Sequence, residues 1–204
     1  MNFRTLGCAA IVALALGGSA GAAVTVIGDS SAEDCSNAAF KGRADNGALQ
    51  SCNIALINGD LDRRDQAGTY VNRGVLYMLL NNYTAARSDF DTAIRIEPKL
   101  GEGWVNRGAV NIGEKRFQEG LSDINKALEL GIEEPAKAYY NRAVAYEGLD
   151  DEKSAYLDYQ QALVLKPDWE APKRELMRFT VSHRAPAASD PAPGSQPPRP
   201  ASAG

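Results

Sequence analysis

Small, apolar and polar positions recur along the middle of this chain at a fixed interval. Tyr70-Val71-Asn72-Arg73-Gly74 returns 34 residues later as Trp104-Val105-Asn106-Arg107-Gly108, and 35 residues after that as Tyr139-Tyr140-Asn141-Arg142-Ala143. Each block is followed by a second one: Ala86-x3-Phe90-x2-Ala93, Gly120-x3-Ile124-x2-Ala127 and Ala155-x3-Tyr159-x2-Ala162. In the first unit Tyr70, Gly74, Tyr77 and Leu80 fall on one helix face, so each unit predicts two short antiparallel helices, A and B. Gly74, Gly108 and Ala143 are expected where another helix approaches closely, and Phe90 where the space between helices must be filled. Pro98 and Pro167 end the first and third units, because proline discourages helix continuation. One hairpin cannot bury its apolar face alone, so three predict a stack, an all-α solenoid.

The flanking patterns are weaker. Ala32, Cys35, Ala38, Ala39 and Ala44 predict one small-residue helix and Ala48 to Ile57 a second, with Asp45-Asn46-Gly47 as the turn between them. Asp168 is expected to cap a final helix through about Phe179, whose apolar residues cover the last unit. Six of the ten prolines fall beyond Val181. Residues 181–204 can therefore offset little ordering entropy by burial and predict a disordered tail.

The front of the chain changes the picture. Arg4, an uncharged run from Leu6 to Leu16, and Ala20-Gly21-Ala22 have the layout of a cleavable secretory signal over residues 1–22. The run is shorter than the ~20 residues a membrane span needs, so no span is expected after cleavage. Export to the periplasm or beyond leaves Cys35 and Cys52, which an oxidising compartment would join as a disulfide. It also leaves 21 Lys and Arg against 26 Asp and Glu. That balance argues against nucleic acid, which wants a basic face. A single histidine and two cysteines leave little for imidazole chemistry or a zinc site. Asp60-Leu61-Asp62-Arg63-Arg64-Asp65 lacks the glycine and glutamate of a calcium loop. No phosphate-binding glycine loop or nucleophile elbow is present, so neither metal nor cofactor is expected.

Residues 67–169 resemble three tetratricopeptide repeats, spanning 67–100, 101–135 and 136–169. The family places an aromatic, a small residue and a tyrosine in helix A, then Ala, an aromatic, Ala and Pro. Tyr70, Gly74, Tyr77, Ala86, Phe90, Ala93 and Pro98 match in the first unit, and Tyr139, Ala143, Tyr146, Ala155, Tyr159, Ala162 and Pro167 in the third. The second unit departs at Asn111, Gly120, Ile124 and Ile132, which makes it the softest. The resemblance implies a right-handed solenoid with residues 23–66 as a divergent N-terminal hairpin and residues up to 180 as a cap.

Two polar ladders run through the units. Arg73, Arg107 and Arg142 each precede Asp89, Asp123 and Asp158 by 16 residues, a spacing that predicts structural ion pairs between helices A and B. Asn72, Asn106 and Asn141 fall where the family's helix A faces its concave groove. An asparagine donates and accepts at once, so these three can hold an extended peptide by its backbone. The resemblance adds Val71, Val75, Met78, Leu79, Glu102, Val105, Ala109, Ile112, Lys137, Tyr140, Val144 and Glu147 to the groove. Of five residues with which some family members clamp a terminal carboxylate, Asn106 and Lys137 match, while Val71, Val75 and Asn141 stand in for the others. The expected function is a protein- or peptide-binding scaffold of the cell envelope. A self-associating structural module is the alternative. An enzyme is the weakest reading, since no nucleophile–base pair can be assembled.

Overall fold

The computed structural model describes residues 2–5, 21–58 and 60–182. Among them are nine helices: α1 Ser30–Phe40, α2 Asn46–Asn58, α3 Arg63–Leu79, α4 Tyr83–Ile96, α5 Gly101–Gly113, α6 Phe117–Leu130, α7 Pro135–Gly148, α8 Glu152–Leu165 and α9 Glu170–Leu176. Helices α3/α4, α5/α6 and α7/α8 are the A and B helices of three successive hairpins, and each B helix packs on the next A helix. No helix among the described residues is long and apolar enough to cross a membrane.

Local chemistry sets the helix boundaries. Asp62, Asn82 and Asp151 accept from the backbone N–H groups of Asp65, Ala85 and Ser154, satisfying donors that a helix start leaves orphaned. Each A-to-B turn is made by one left-handed residue, Asn81, Lys115 or Asp150, at φ 59°, 61° and 60°. The close approach between A and B is visible at Gly74, where a Cβ would stand 2.5 Å from the Phe90 ring. Phe90, Ile124 and Tyr159 are fully buried in the matching B-helix positions.

The second unit is supported at the positions where it departs from its neighbours. A Cβ on Gly108 would meet Ile124 at 2.8 Å and the Gly120 carbonyl at 3.1 Å, so the two glycines let α5 and α6 touch. Asn111 donates to Asp123 at 2.9 Å and accepts from Arg87 at 2.8 Å, which accounts for a polar residue there.

Three boundaries differ from expectation. The turn between α1 and α2 sits at Gly42 (φ 64°), and Ala44 lies outside α1. Asp45 instead accepts from Ala48 N–H at 2.7 Å, so Asp45-Asn46-Gly47 opens α2. The capping helix stops at Leu176, and Phe179–Ser182 forms strand β2, antiparallel to β1, Asn2–Thr5. Aromatic and β-branched residues from Phe179 to Val181 favour extended backbone over helix. Residues 181 and 182 therefore belong to this ribbon. The remainder of the expected tail and most of the expected signal lie outside the described residues.

Candidate functional site

The A helices α3, α5 and α7 lie side by side, and residues Gly21–Gly28 run along them without forming helix or strand. Asn72 Oδ1 accepts from Val24 N–H at 2.8 Å while its Nδ2 donates to the Val24 carbonyl at 2.8 Å. Asn106 repeats the device one hairpin on, accepting from Ala22 N–H at 2.9 Å and donating to its carbonyl at 2.8 Å. Each amide thus saturates the main chain of one residue and skips the next. The Val24 carbonyl also accepts from Ser36 Oγ at 2.9 Å, and the Gly21 carbonyl from Lys137 Nζ at 3.1 Å. The chain therefore passes from α7, across α5 and α3, to the α1–α2 hairpin.

The seated positions take apolar side chains of limited size. Gly21 to Val24 and Val26 are buried, while Thr25 and Ile27 face solvent. A Cβ on Gly68 of α3 would stand 3.0 Å from a methyl of Val24 and of Val26, so a side chain there would press on both valines. Val71, Val75 and Ala109 share a core with Ala23 and Val24, and Val105 and Ile112 share one with Ala22. The extended peptide on the asparagines is the chain's own. The third one, Asn141 of α7, is 7% exposed, and its Nδ2 has no hydrogen-bond partner.

Other expected groove residues are turned to internal work. Met78 is buried and Leu79 half-buried in the first core, and Val144 is half-buried between the last two units. Glu102 is buried and accepts from Glu133 N–H at 3.2 Å. Tyr140 stacks within 5.4 Å of Tyr159 and 5.0 Å of Trp169, and burial pushes its phenol up to about 12. Glu147 accepts from Tyr159 Oη at 2.8 Å and Arg178 at 2.9 Å. Burial is the main cause that holds its carboxyl above the usual range. Lys137 also pairs with Glu134.

The arginines form bidentate pairs with the aspartates of their own B helices: Arg73–Asp89, Arg107–Asp123 and Arg142–Asp158, with N–O distances between 2.6 and 2.9 Å. Each also reaches the preceding hairpin, at Asn53, Asp91 and Asn125 respectively. Each guanidinium lies over the aromatic that opens its unit, 5.3 Å from Tyr70, 5.0 Å from Trp104 and 5.1 Å from Tyr139. Hydrogen bonding to the aspartate raises all three above the ordinary arginine value. One arginine thus ties three helices together. Asn53 gives α1–α2 the role of a preceding unit, and Cys35 and Cys52 join its two helices as a disulfide.

Profiles described as tetratricopeptide repeat match residues 67–100 and 136–168. Among curated proteins, human sperm-associated antigen 1 is 29% identical over 99 residues, covering 48% of this chain and 11% of that protein. Heat shock protein STI1 of Saccharomyces cerevisiae is 31% identical over 99 residues, 48% of this chain and 15% of that protein. The chain thus spans a small part of the curated relatives it matches. Among solved structures, the Arabidopsis OM64 TPR domain aligns with TM-score 0.54 at 25% identity, covering 57% of this chain and 96% of that one. The first TPR of Spaghetti (RPAP3), bound to the HSP90 peptide SRMEEVD, aligns with TM-score 0.51 at 26% identity over 54% of this chain and 87% of that one. MamA shares the fold at 17% identity, with TM-score 0.57 over 74% of this chain and 82% of its own.

Proposed function

The chain is a tetratricopeptide repeat protein, and from that premise we propose that it is an exported, non-catalytic scaffold that binds other proteins in the cell envelope. The groove along α3, α5 and α7 takes an extended segment of the partner. One observation carries this reading: Asn72 and Asn106 each hold both main-chain groups of one residue in an extended chain. Main-chain recognition of this kind gives affinity without a demanding sequence, which suits a scaffold. A structural neighbour solved with a bound peptide is consistent with it. The secretory layout of residues 1–22 supports a periplasmic or secreted location.

Affinity capture from an envelope extract tests the reading, with wild type beside an Asn72/Asn106/Asn141→Ala triple variant confirmed as folded by circular dichroism. Proteins retained by the first bait and lost by the second support the groove. Equal recovery by both baits rejects it. Self-association is the second reading, because a segment that seats in its own groove can seat in that of a second copy. Size-exclusion chromatography with light scattering separates the two: a stable dimer dissolved by Val24→Asp favours the exchanged segment.

A further inference from the structure

We propose that a cleft between α4, α5 and α6 is a docking site for a tyrosine side chain of a partner protein, which stacks on Arg107 as the chain's own tyrosines stack on Arg73 and Arg142. In the first unit the Arg73 guanidinium lies over two rings, 5.3 Å from Tyr70 and 6.0 Å from Tyr77. In the third, Arg142 lies 5.1 Å from Tyr139 and 5.9 Å from Tyr146. In the second, Trp104 lies 5.0 Å from Arg107, and Asn111 holds the place that Tyr77 and Tyr146 hold in the sister units. Among the described residues no other ring stands over Arg107. An asparagine does not fill the volume of a phenol, and a cleft of about 330 Å³ opens there. Arg87, Arg107, Asn111, Arg116, Glu119 and Ser122 are among the residues that line it. None of its lining belongs to the asparagine groove, and none of it comes from residues 1–28.

The walls are fixed by bonds among three helices. Asn111, 4% exposed, is held by Asp123 and Arg87, and Arg107 by Asp123 and Asp91. Arg87 and Arg116 converge on one carboxylate, that of Glu114. A guest therefore meets side chains already in place and pays little to order them. The sister units define that guest. An aromatic face over a guanidinium is attractive, and both complete units supply a tyrosine. The phenol hydroxyl both accepts and donates, which suits a lining that holds Arg87, Arg116 and Glu119 together. Phenylalanine leaves those groups without a partner, and an aliphatic side chain offers Arg107 no π face. The third unit has Leu121 and Asp151 where this cleft has Arg87 and Arg116, so the arrangement belongs to the second unit.

The test titrates N-acetyl-tyrosinamide into the isotope-labelled full chain and follows the Arg107 Nε–H and Trp104 Nε1–H signals by NMR. Both are expected to shift and saturate, with a dissociation constant on the order of 1 mM, as a ligand of this size allows. N-acetyl-phenylalaninamide is expected to bind about threefold more weakly for want of the hydroxyl. N-acetyl-leucinamide, without a π face, is expected to lose about tenfold or more. Asn111→Tyr supplies the missing ring from within and is expected to abolish binding. Ser122→Phe, at an exposed position of α6, blocks the cleft without touching the Asn111 bonds and is expected to weaken binding about tenfold. Circular dichroism establishes that each variant is folded. No saturable shift at Arg107, equal affinity for the tyrosine and leucine amides, or undiminished binding by either folded variant overturns the site. Equal affinity for the tyrosine and phenylalanine amides overturns the assignment to tyrosine. The groove reading is untouched by any of these results, because the two places share no residue.

Discussion

The three asparagines share one sequence position and carry very different energetic loads. Asn106 satisfies both main-chain groups of Ala22 inside a core where it is 1% exposed. Asn106→Ala strands those groups and should cost about 2–4 kcal/mol. Asn141→Ala gives up a buried amide nitrogen that has no partner and should be neutral or slightly stabilising. Urea unfolding midpoints of the two variants measure the contrast. Glu147 gives a second contrast, in pH. Burial, opposed by Tyr159 and Arg178, lifts its carboxyl above the ordinary value of 4.5. The folded chain then holds that proton more tightly than the unfolded chain, and the stability contribution of the group falls as pH rises from about 4.5 through the folded value. Glu147→Gln removes the titration, so its melting temperature relative to wild type should improve between pH 4.5 and pH 7; a constant difference would refute it. The Arg–Asp pairs could be read from the chain, because a 16-residue interval held three times has few other causes. The internal partners of Glu102, Tyr140 and Glu147 could not. Glu133, Trp169 and Arg178 lie outside the repeating positions, and only Tyr159, which also meets Tyr140 and Glu147, occupies one.

Helices were legible wherever two levels of pattern agreed. The period and the recurring small and aromatic positions together predict α3 through α8, whereas α1 and α2 offer only alanine spacing, and their turn falls elsewhere than expected. Asp45-Asn46-Gly47 has turn composition, yet an aspartate before a helical run serves equally well as a cap, and Gly42 supplied the left-handed residue. The α1–α2 hairpin joins the stack by burying Ala38, Ala39, Ala48 and Cys52 in one core with Ala67 and Val71, and by the bond from Arg73 to Asn53, neither of which a period announces. Small residues at helix contacts were legible in kind but not in weight. Gly103 and Gly108 both lie in α5, and alanine at either gains about 1 kcal/mol of helix propensity. At Gly103 the new methyl would stand 3.2 Å from an Ile94 side-chain carbon, whereas at Gly108 it would meet the backbone carbonyl of Gly120 at 3.1 Å and Ile124 at 2.8 Å. Side chains can yield and the backbone cannot. Gly103→Ala should therefore be neutral or slightly stabilising, and Gly108→Ala destabilising by about 1–3 kcal/mol from overpacking. Thermal melts of the pair decide it, and a Gly108→Ala chain that melts as high as Gly103→Ala would show that α5 and α6 can part.

At the scale of the molecule, the stack is completed by a segment that sequence patterning assigns to something else. Residues 21–28 carry no period, few polar groups and small side chains, the same features that make Ala20-Gly21-Ala22 fit a signal cleavage site. Backbone recognition leaves no side-chain signature on the segment recognised, so its seat on α3 and α5 could not be read from the chain. The two readings meet at one place and make different proteins. A chain beginning at Gly21 keeps the bonds of Asn72 to Val24 and of Asn106 to Ala22, and the Lys137 contact. One beginning at Ala23 loses Gly21 and Ala22, leaves the Asn106 amide buried without those partners, and puts a charged amino group on a residue that is 7% exposed. Removing the partner of a buried polar group costs about 1–3 kcal/mol, and more where a charge is brought in. The chain starting at Ala23 should therefore unfold at lower urea, by about 2–5 kcal/mol in all. It should also bind a peptide with the sequence of residues 19–28 more tightly, because the Asn106 amide is then open to it. Lower stability with tighter binding is the combination that only an occupied groove predicts. Equal midpoints and equal affinities for the two starts would mean that residues 21 and 22 hold no place in the stack.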